Sequence, residues 1–264
     1  MVPAASVPDD DRLTIAAIAV MAACLATFAH EAAGHGLACL AAGGRIVRLT
    51  SVYFSCSRPS VWVAPAGPAG NLVAGAAAWA LLTVLPGGRP RARLLLLLVM
   101  AFSLFWAAGY LLYSMTLGVG DYAIAAHDAF GQVGWQATLV GWALGLLLYW
   151  AGIRAALRAA QWFARPTAFS ARSLLGLSWL AASLAACLAA AFYAPGRLEA
   201  IKQAALELGA SSLPLLLFAP QLRTGLQQER PLARTGLWTG LAVLLFIGFV
   251  LTLGRGLGGS GQPN

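Results

Sequence analysis

Residues 13–40, LTIAAIAVMAACLATFAHEAAGHGLACL, decide the fold of this chain. This apolar run exceeds the ~20 residues that a helix needs to cross a bilayer. Near its end lie His30, Glu31 and His35, which are two of the three histidines and one of the nine acidic residues. Ionisable side chains are costly inside a membrane-spanning segment, so the cluster predicts a functional site.

The composition is that of a helical membrane protein. Of the 264 residues, 60% are hydrophobic and 10% are charged, whereas a soluble domain carries roughly a quarter charged residues. We therefore expect an all-α polytopic fold of six or seven transmembrane helices. The ambiguous seventh segment, 206–220, contains Glu207 and Pro214, and is either a bent span or a re-entrant or interfacial helix. The six clear apolar runs are 13–40, 67–85, 94–117, 133–153, 174–194 and 236–253.

These runs divide the chain into four regions. We expect a disordered N-terminus over 1–12 and a three-helix core of catalytic type, with a hairpin loop, over 13–132. Accessory transmembrane helices should occupy 133–253, and a disordered tail should follow over 254–264.

The loop between the first two spans has an unusual pattern. Residues 43–65 contain two β-branched and aromatic stretches around a Ser, Arg and Pro turn, which predicts a short β-hairpin. Its apolar character indicates a membrane-associated hairpin that is covered by protein or lines a wet cavity. An ordinary interfacial loop is the alternative. Cys39 and Cys56 flank this region, but their spacing gives no argument for a disulfide.

The net charge of +8 is explained by membrane topology rather than by nucleic-acid binding. The basic residues lie in short loops between apolar runs, and they are more numerous on the side of the N-terminus, which predicts a cytoplasmic N-terminus. A composition rich in Ala, Leu and Arg, with the single lysine Lys202, indicates a bacterial plasma membrane. On the N-terminal side we expect Arg89, Arg91, Arg93, Arg154, Arg158, Arg165 and Arg172, and on the other side Arg45, Arg48, Arg58, Arg197 and Lys202.

Three polar features should meet at one depth of the membrane. His30 lies ~26 Å along the first helix, near the side opposite the N-terminus. Gly67, Pro68 and Asn71 open the second span on that side, and Asp121 follows the third span there. Gly67 and Pro68 would allow a tight turn into the span, while Asn71 would donate a hydrogen bond to a substrate carbonyl or to an oxyanion.

This residue set matches the needs of a hydrolytic zinc site. Such a site has three protein ligands, one open position for water and a carboxylate that takes the proton of that water. His30, His35 and Asp121 are the candidate ligands, and Glu31 is the candidate base. Zinc lowers the pKa of its bound water towards ~7, so hydroxide is available at neutral pH.

Three stretches of the chain resemble the site-2 protease family of intramembrane zinc metalloproteases. They are the histidine and glycine pattern within 30–45, the sequence AGPAGN at 66–71 and the sequence GVGD at 118–121. The resemblance covers roughly 25–125 and implies a three-helix core that binds Zn²⁺. It also implies cleavage of a peptide bond in or beside a transmembrane segment, so the partners would be a transmembrane protein substrate and the lipid bilayer.

The histidine spacing departs from that family, whose motif has its histidines four residues apart. Here they are five apart, which on a regular helix turns the rings ~140° away from each other. A one-residue π-bulge near Gly34 would bring His30 and His35 together and keep Glu31 as the base. On a regular helix, Glu31 and His35 would be ligands and the base would come from elsewhere, such as Asp128. A third possibility is a non-catalytic adaptor or regulator that has lost zinc.

Overall fold

A computed structural model describes residues 10–58, 60–131, 134–161, 163, 171–217 and 232–258. Six of its helical stretches are long and apolar enough to cross a membrane, which confirms the expected polytopic α-helical architecture. Residues 1–9 and 259–264, for which we expected disorder, lie outside the described residues.

The first span is a continuous helical stretch made of three parts. Helix α1, Arg12–Phe28, runs into a π-helical segment, Ala29–Gly36, which we call the π segment, and then into α2, Leu37–Ala41. The other helices are α3 Val63–Val84, α4 Pro90–Leu117, α5 Asp121–Phe130, α6 Trp135–Gln161, α7 Ala171–Ala190, α8 Arg197–Ala204, α9 Pro214–Leu217 and α10 Gly236–Phe249. A second π-helical segment, Ala205–Ala210, follows α8, and a third, Val250–Gly254, follows α10.

Helix α4 lies at the centre of the bundle. In its most apolar 18 residues 78% are buried, against 17% in the last span. It contacts α1, α3 and α6, and its Phe102, Phe105 and Trp106 side chains are fully buried. A helix that is apolar all round is suited to such a central position. The outer spans instead expose leucines such as Leu147 and Leu244, as a surface that meets lipid does.

The predicted hairpin is confirmed as a two-stranded antiparallel sheet. Strand β1, Ile46–Leu49, pairs with β2, Phe54–Cys56, and the Thr50 hydroxyl accepts hydrogen bonds from backbone N–H groups of the turn. Leu49 also forms a β-bridge with Leu257. Part of the tail that we expected to be disordered therefore packs against the hairpin.

A disulfide joins Cys39 at the end of the first span to Cys56 in β2, with the two Cα atoms 5.8 Å apart. This bond was not predicted, because the two cysteines approach each other only when the hairpin folds back over α2. The disulfide fixes β2 beside the end of the π segment.

The start of the first span is also held in place. Asp11 caps α1 by accepting a hydrogen bond from the Thr14 backbone N–H, and the Thr14 hydroxyl bonded to the same carboxylate lowers the pKa of Asp11. The Asp10 carboxylate accepts a hydrogen bond from the backbone N–H of Leu232. Residues 10–12 are thus ordered, which differs from the disorder expected over 1–12.

The described residues of the ambiguous segment, 206–217, form the π-helical segment after α8 and then α9. These residues pack against α7 and α4, and within the described parts of the chain they do not belong to any of the six candidate spans. Two hydrogen bonds attach the segment to the bundle, from the Trp179 indole to the Gly209 carbonyl and from the Tyr149 hydroxyl to the Ser211 carbonyl. This segment therefore lies beside the central helix, on the side where the polar cluster is found.

Candidate metal centre

The π segment brings the two histidines of the first span together. In a π-helix the hydrogen bonds run from residue i to i+5, so side chains five residues apart lie one above the other. The imidazole rings of His30 and His35 accordingly lie 5.0 Å apart, edge to face. The π distortion predicted from their spacing is confirmed, and a regular helix through these residues, with Glu31 and His35 as ligands, is not what forms.

Close packing of α3 on the π segment depends on glycines. A Cβ atom on Gly34 would lie only 2.5 Å from the Ala66 carbonyl oxygen, and one on Gly67 would lie 2.7 Å from His30 Nε2. Gly70 packs against Gly34 in the same way. A side chain at Gly34 would meet the backbone of α3, one at Gly67 would meet the histidine rings, and one at Gly70 would meet the backbone of the π segment.

The positions of Gly67 and Pro68 do not match the role expected of them. Helix α3 begins at Val63, so both residues lie inside the helix rather than at a turn into it. Pro68 has no N–H and cannot donate to the carbonyl of Ala64, a residue that lines the cavity described below. Their position serves helix packing and the shape of the site.

A glycine turn delivers the third candidate ligand, Asp121, to the same place. Gly118 and Gly120 both have positive φ, +68° and +82°, which end α4 and reverse the chain into α5. A Cβ on Gly120 would lie 2.5 Å from the Tyr110 hydroxyl oxygen, so only glycine fits there. Asp121 is then the first residue of α5.

The three side chains converge on one point. Asp121 Oδ2 lies 3.2 Å from His30 Nε2 and 3.2 Å from His35 Nε2, and the three candidate ligand atoms all lie within 4.8 Å of one another. Ligands bound tetrahedrally to zinc at 2.0–2.1 Å are about 3.3 Å apart, so the two separations from Asp121 Oδ2 fit. Elsewhere in the described parts of the chain, no other set of three His, Cys, Asp or Glu side chains is gathered in this way.

The charge state of Asp121 suits a metal ligand. Burial raises the pKa of its carboxyl, but the hydrogen bonds from His30 and His35 outweigh this and lower the pKa of Asp121 to about 2. The carboxylate is therefore ionised at neutral pH, as metal coordination requires.

The second ring nitrogen of each histidine is also engaged. His35 Nδ1 donates to the Val63 carbonyl oxygen at 2.7 Å, so Nε2 is the ring nitrogen that would coordinate a metal. The His35 ring stacks on Phe54 of the hairpin, and the His30 ring stacks on Trp106 of α4. Hydrogen bonds and stacking of this kind fix ring orientation at metal sites.

Asn71 holds His30 rather than facing a substrate. It is fully buried, and its side-chain nitrogen lies 3.1 Å from His30 Nδ1, while its oxygen has no hydrogen-bond partner. Coordination through His30 Nε2 requires the proton on Nδ1, and the amide turned by 180° would accept it. The role as donor to a substrate or oxyanion, expected from the sequence, does not agree with this buried position.

Glu31 lies beside the ligands and lines a cavity with them. The cavity has a volume of about 300 Å³, and Glu31 is 2% exposed, with Oε2 lacking any hydrogen-bond partner. A buried carboxylate without a partner is unfavourable unless a group from outside the chain forms a hydrogen bond or an ion pair with it. The cavity wall also includes Asp128, the alternative base, and residues of β2 such as Phe54.

One residue of the cavity wall was missed in the sequence analysis of the site. Glu207, on the π-helical segment after α8, lines the cavity with Glu31 and Asp121, and it is 5% exposed. Burial raises the pKa of Glu207 well above its ordinary value, and the charges of Glu31 and Asp121 raise it further. An acidic residue in an apolar run was the available signal, as it was for Glu31.

Comparisons of the chain with protein-family models, with curated proteins and with solved structures found no match. The function is therefore inferred from the residues of the site and their geometry.

Proposed function

We propose that this protein is an intramembrane zinc metalloprotease, which cleaves a membrane-protein substrate in or next to its transmembrane segment. The observation that supports this most strongly is the convergence of His30 Nε2 and His35 Nε2 on Asp121 Oδ2, each at 3.2 Å, beside the buried Glu31 Oε2, which has no hydrogen-bond partner. The sequence likeness to site-2 proteases in the stretches that supply these residues points to the same activity.

The chemistry of the proposed site follows from its residues. A bound zinc ion would polarise a water molecule and the substrate carbonyl. Glu31 Oε2 would take a proton from the water as its oxygen attacks the carbonyl carbon, and would pass that proton to the nitrogen as the C–N bond breaks. Val63 and Asn71 would keep the imidazoles of His35 and His30 in the tautomers that coordinate through Nε2.

The disulfide bears on the orientation of the protein in the membrane. Disulfides persist in oxidising compartments and are rare in the cytosol. The bond between Cys39 and Cys56 therefore favours a non-cytoplasmic location for the end of the first span. This agrees with a bacterial plasma membrane protein whose N-terminus is cytoplasmic, as the distribution of basic residues predicts.

The alternative function is a non-catalytic site-2-protease-like adaptor or regulator that has lost zinc. Its motivation was the five-residue spacing of His30 and His35. The π segment accommodates that spacing, since both Nε2 atoms reach the same carboxylate oxygen. The metalloprotease is therefore the better supported of the two functions.

Metal content and cleavage test the proposal together. Elemental analysis of the detergent-purified protein should find one zinc per chain, and His35→Ala should lose it. Glu31→Gln should keep the zinc but abolish cleavage of a model transmembrane polypeptide in proteoliposomes. If the wild-type protein binds no zinc after loading with excess metal, or if Glu31→Gln still cleaves, the proposed mechanism is refuted.

A further inference from the structure

A second cavity adjoins the metal-site cavity. Its volume is about 170 Å³, and the two cavities share Tyr110 and Glu207 as wall residues. A cavity of roughly 150 Å³ is known to hold a benzene molecule, so this one is large enough for a single side chain. Anything bound in it would lie next to the candidate metal centre.

Three tyrosines line this second cavity. Tyr110 and Tyr113 have nearly parallel rings with centroids 6.0 Å apart, and Tyr149 lies on the opposite helix, α6. The Tyr149 hydroxyl donates to the Ser211 carbonyl oxygen, which fixes the position of the ring. Gly109 of α4 leaves room for that ring, because a Cβ there would collide with the Tyr149 hydroxyl.

Glu207 supplies the only acidic group of this wall among the described residues, and one of its oxygens is unused. Oε1 accepts a hydrogen bond from the Gln203 amide at 2.8 Å, whereas Oε2 has no partner although the side chain is buried. Within the described part of the wall there is no Lys or Arg. Since buried carboxyl groups are normally paired, Oε2 is available to a group from outside the chain.

We propose that the second cavity is a specificity pocket for a basic side chain, Lys or Arg, of the polypeptide substrate. The proposal rests on the proposed proteolytic function. Tyrosine rings attract cations through their faces, and the Glu207 carboxylate would form a charge-assisted hydrogen bond with an ammonium or guanidinium group. Such an occupant would also offset the burial of Glu207 beside the carboxylates of Glu31 and Asp121. An apolar side chain would leave Oε2 without a partner.

Binding of small side-chain analogues to the full-length protein in detergent tests the pocket directly. The probes are n-butylguanidinium and its neutral isostere n-butylurea, with affinities measured by isothermal titration calorimetry. We expect the wild-type protein to bind the guanidinium at least about tenfold more tightly, because only the cation pairs with Glu207. Equal affinity of the wild-type protein for the two probes overturns the proposal without any variant.

The variant Glu207→Gln should remove this preference, since it keeps the shape of the side chain but not its charge. Glu199→Gln is the matched control, because Glu199 lies on the adjoining helix α8, is exposed and pairs with Lys202. A preference that survives Glu207→Gln would refute the assignment of the carboxylate, and so would its loss in Glu199→Gln.

A second measurement separates this pocket from the proposed protease. His35→Ala should lose zinc yet keep the preference for the guanidinium, so failure of the metalloprotease leaves the binding result readable. In cleavage assays, replacing the basic residues that flank the cleavage point of a model substrate by norleucine should lower kcat/KM about tenfold for the wild-type enzyme and leave Glu207→Gln unaffected. Cleavage that is indifferent to those residues would refute the pocket while the protease stands.

Discussion

Gly67→Ala is expected to disrupt the metal centre while leaving the fold intact. The added Cβ would lie 2.7 Å from His30 Nε2 and 2.5 Å from His35 Cε1, whereas ordinary van der Waals contacts begin at 3.4 Å. The rings must therefore move by about 0.7 Å or more, because contacts this short are strongly repulsive. Metal–ligand distances tolerate only about 0.2 Å, so we expect zinc affinity to fall by at least about 100-fold.

Gly75→Ala is the matched control for this variant. Gly75 lies on the same helix, and its added Cβ would meet the flexible end of the Leu104 side chain at 2.7 Å, away from the ligands. Both substitutions gain about 1 kcal/mol of helix propensity, so that contribution cancels in the comparison. Zinc affinity is measured by competition with a chromophoric chelator, and folding by thermal unfolding in detergent. Wild-type zinc affinity in Gly67→Ala would refute the arrangement of the π segment against α3.

Two further predictions concern residues that support the site. Asn71→Ala should lower zinc affinity about 10- to 100-fold without unfolding the protein, as loss of a hydrogen bond to a ligating histidine does. Asn71→Asp should largely restore the affinity, which is measured by chelator competition. An unchanged zinc affinity in Asn71→Ala would contradict the role given to the amide. Cys39→Ser should lower the free energy of unfolding by about 3 kcal/mol, because the disulfide to Cys56 closes a loop of 17 residues. Denaturant titration measures this loss. The control variant is Cys24→Ser, which removes a buried free cysteine. Equal stability of Cys39→Ser and the wild-type protein would contradict the prediction.

Several features of the site could be predicted from the sequence because each depends on local chain geometry. The five-residue interval between His30 and His35, with Gly34 inside it, favoured a π distortion over a regular helix, since a π-bulge brings such side chains onto one face. Asp121 was identified from its position after the glycines that end the third span. The hairpin followed from β-branched and aromatic residues around a turn.

Other features could not be predicted, because they depend on which helices become neighbours. Asn71 was assigned to substrate binding, yet its amide faces His30 Nδ1, a contact set by how α3 lies on the π segment. The Cys39–Cys56 disulfide depends on the direction in which the hairpin folds. Glu207 is separated from the first span by most of the chain, and only the packing of its segment on α4 and α7 brings it to the cavity.

The sequence by itself determined the membrane-spanning helices and the hairpin, and it favoured a distorted helical turn between His30 and His35. Hydrophobic length and residue spacing act along the chain, so they can be read without knowing any tertiary contact. Only the tertiary structure decided that His30, His35 and Asp121 share one point, that Glu31 faces an open cavity and that Glu207 borders both cavities. Those facts depend on distances between helices, which glycines such as Gly67 set through close packing and which no local pattern encodes.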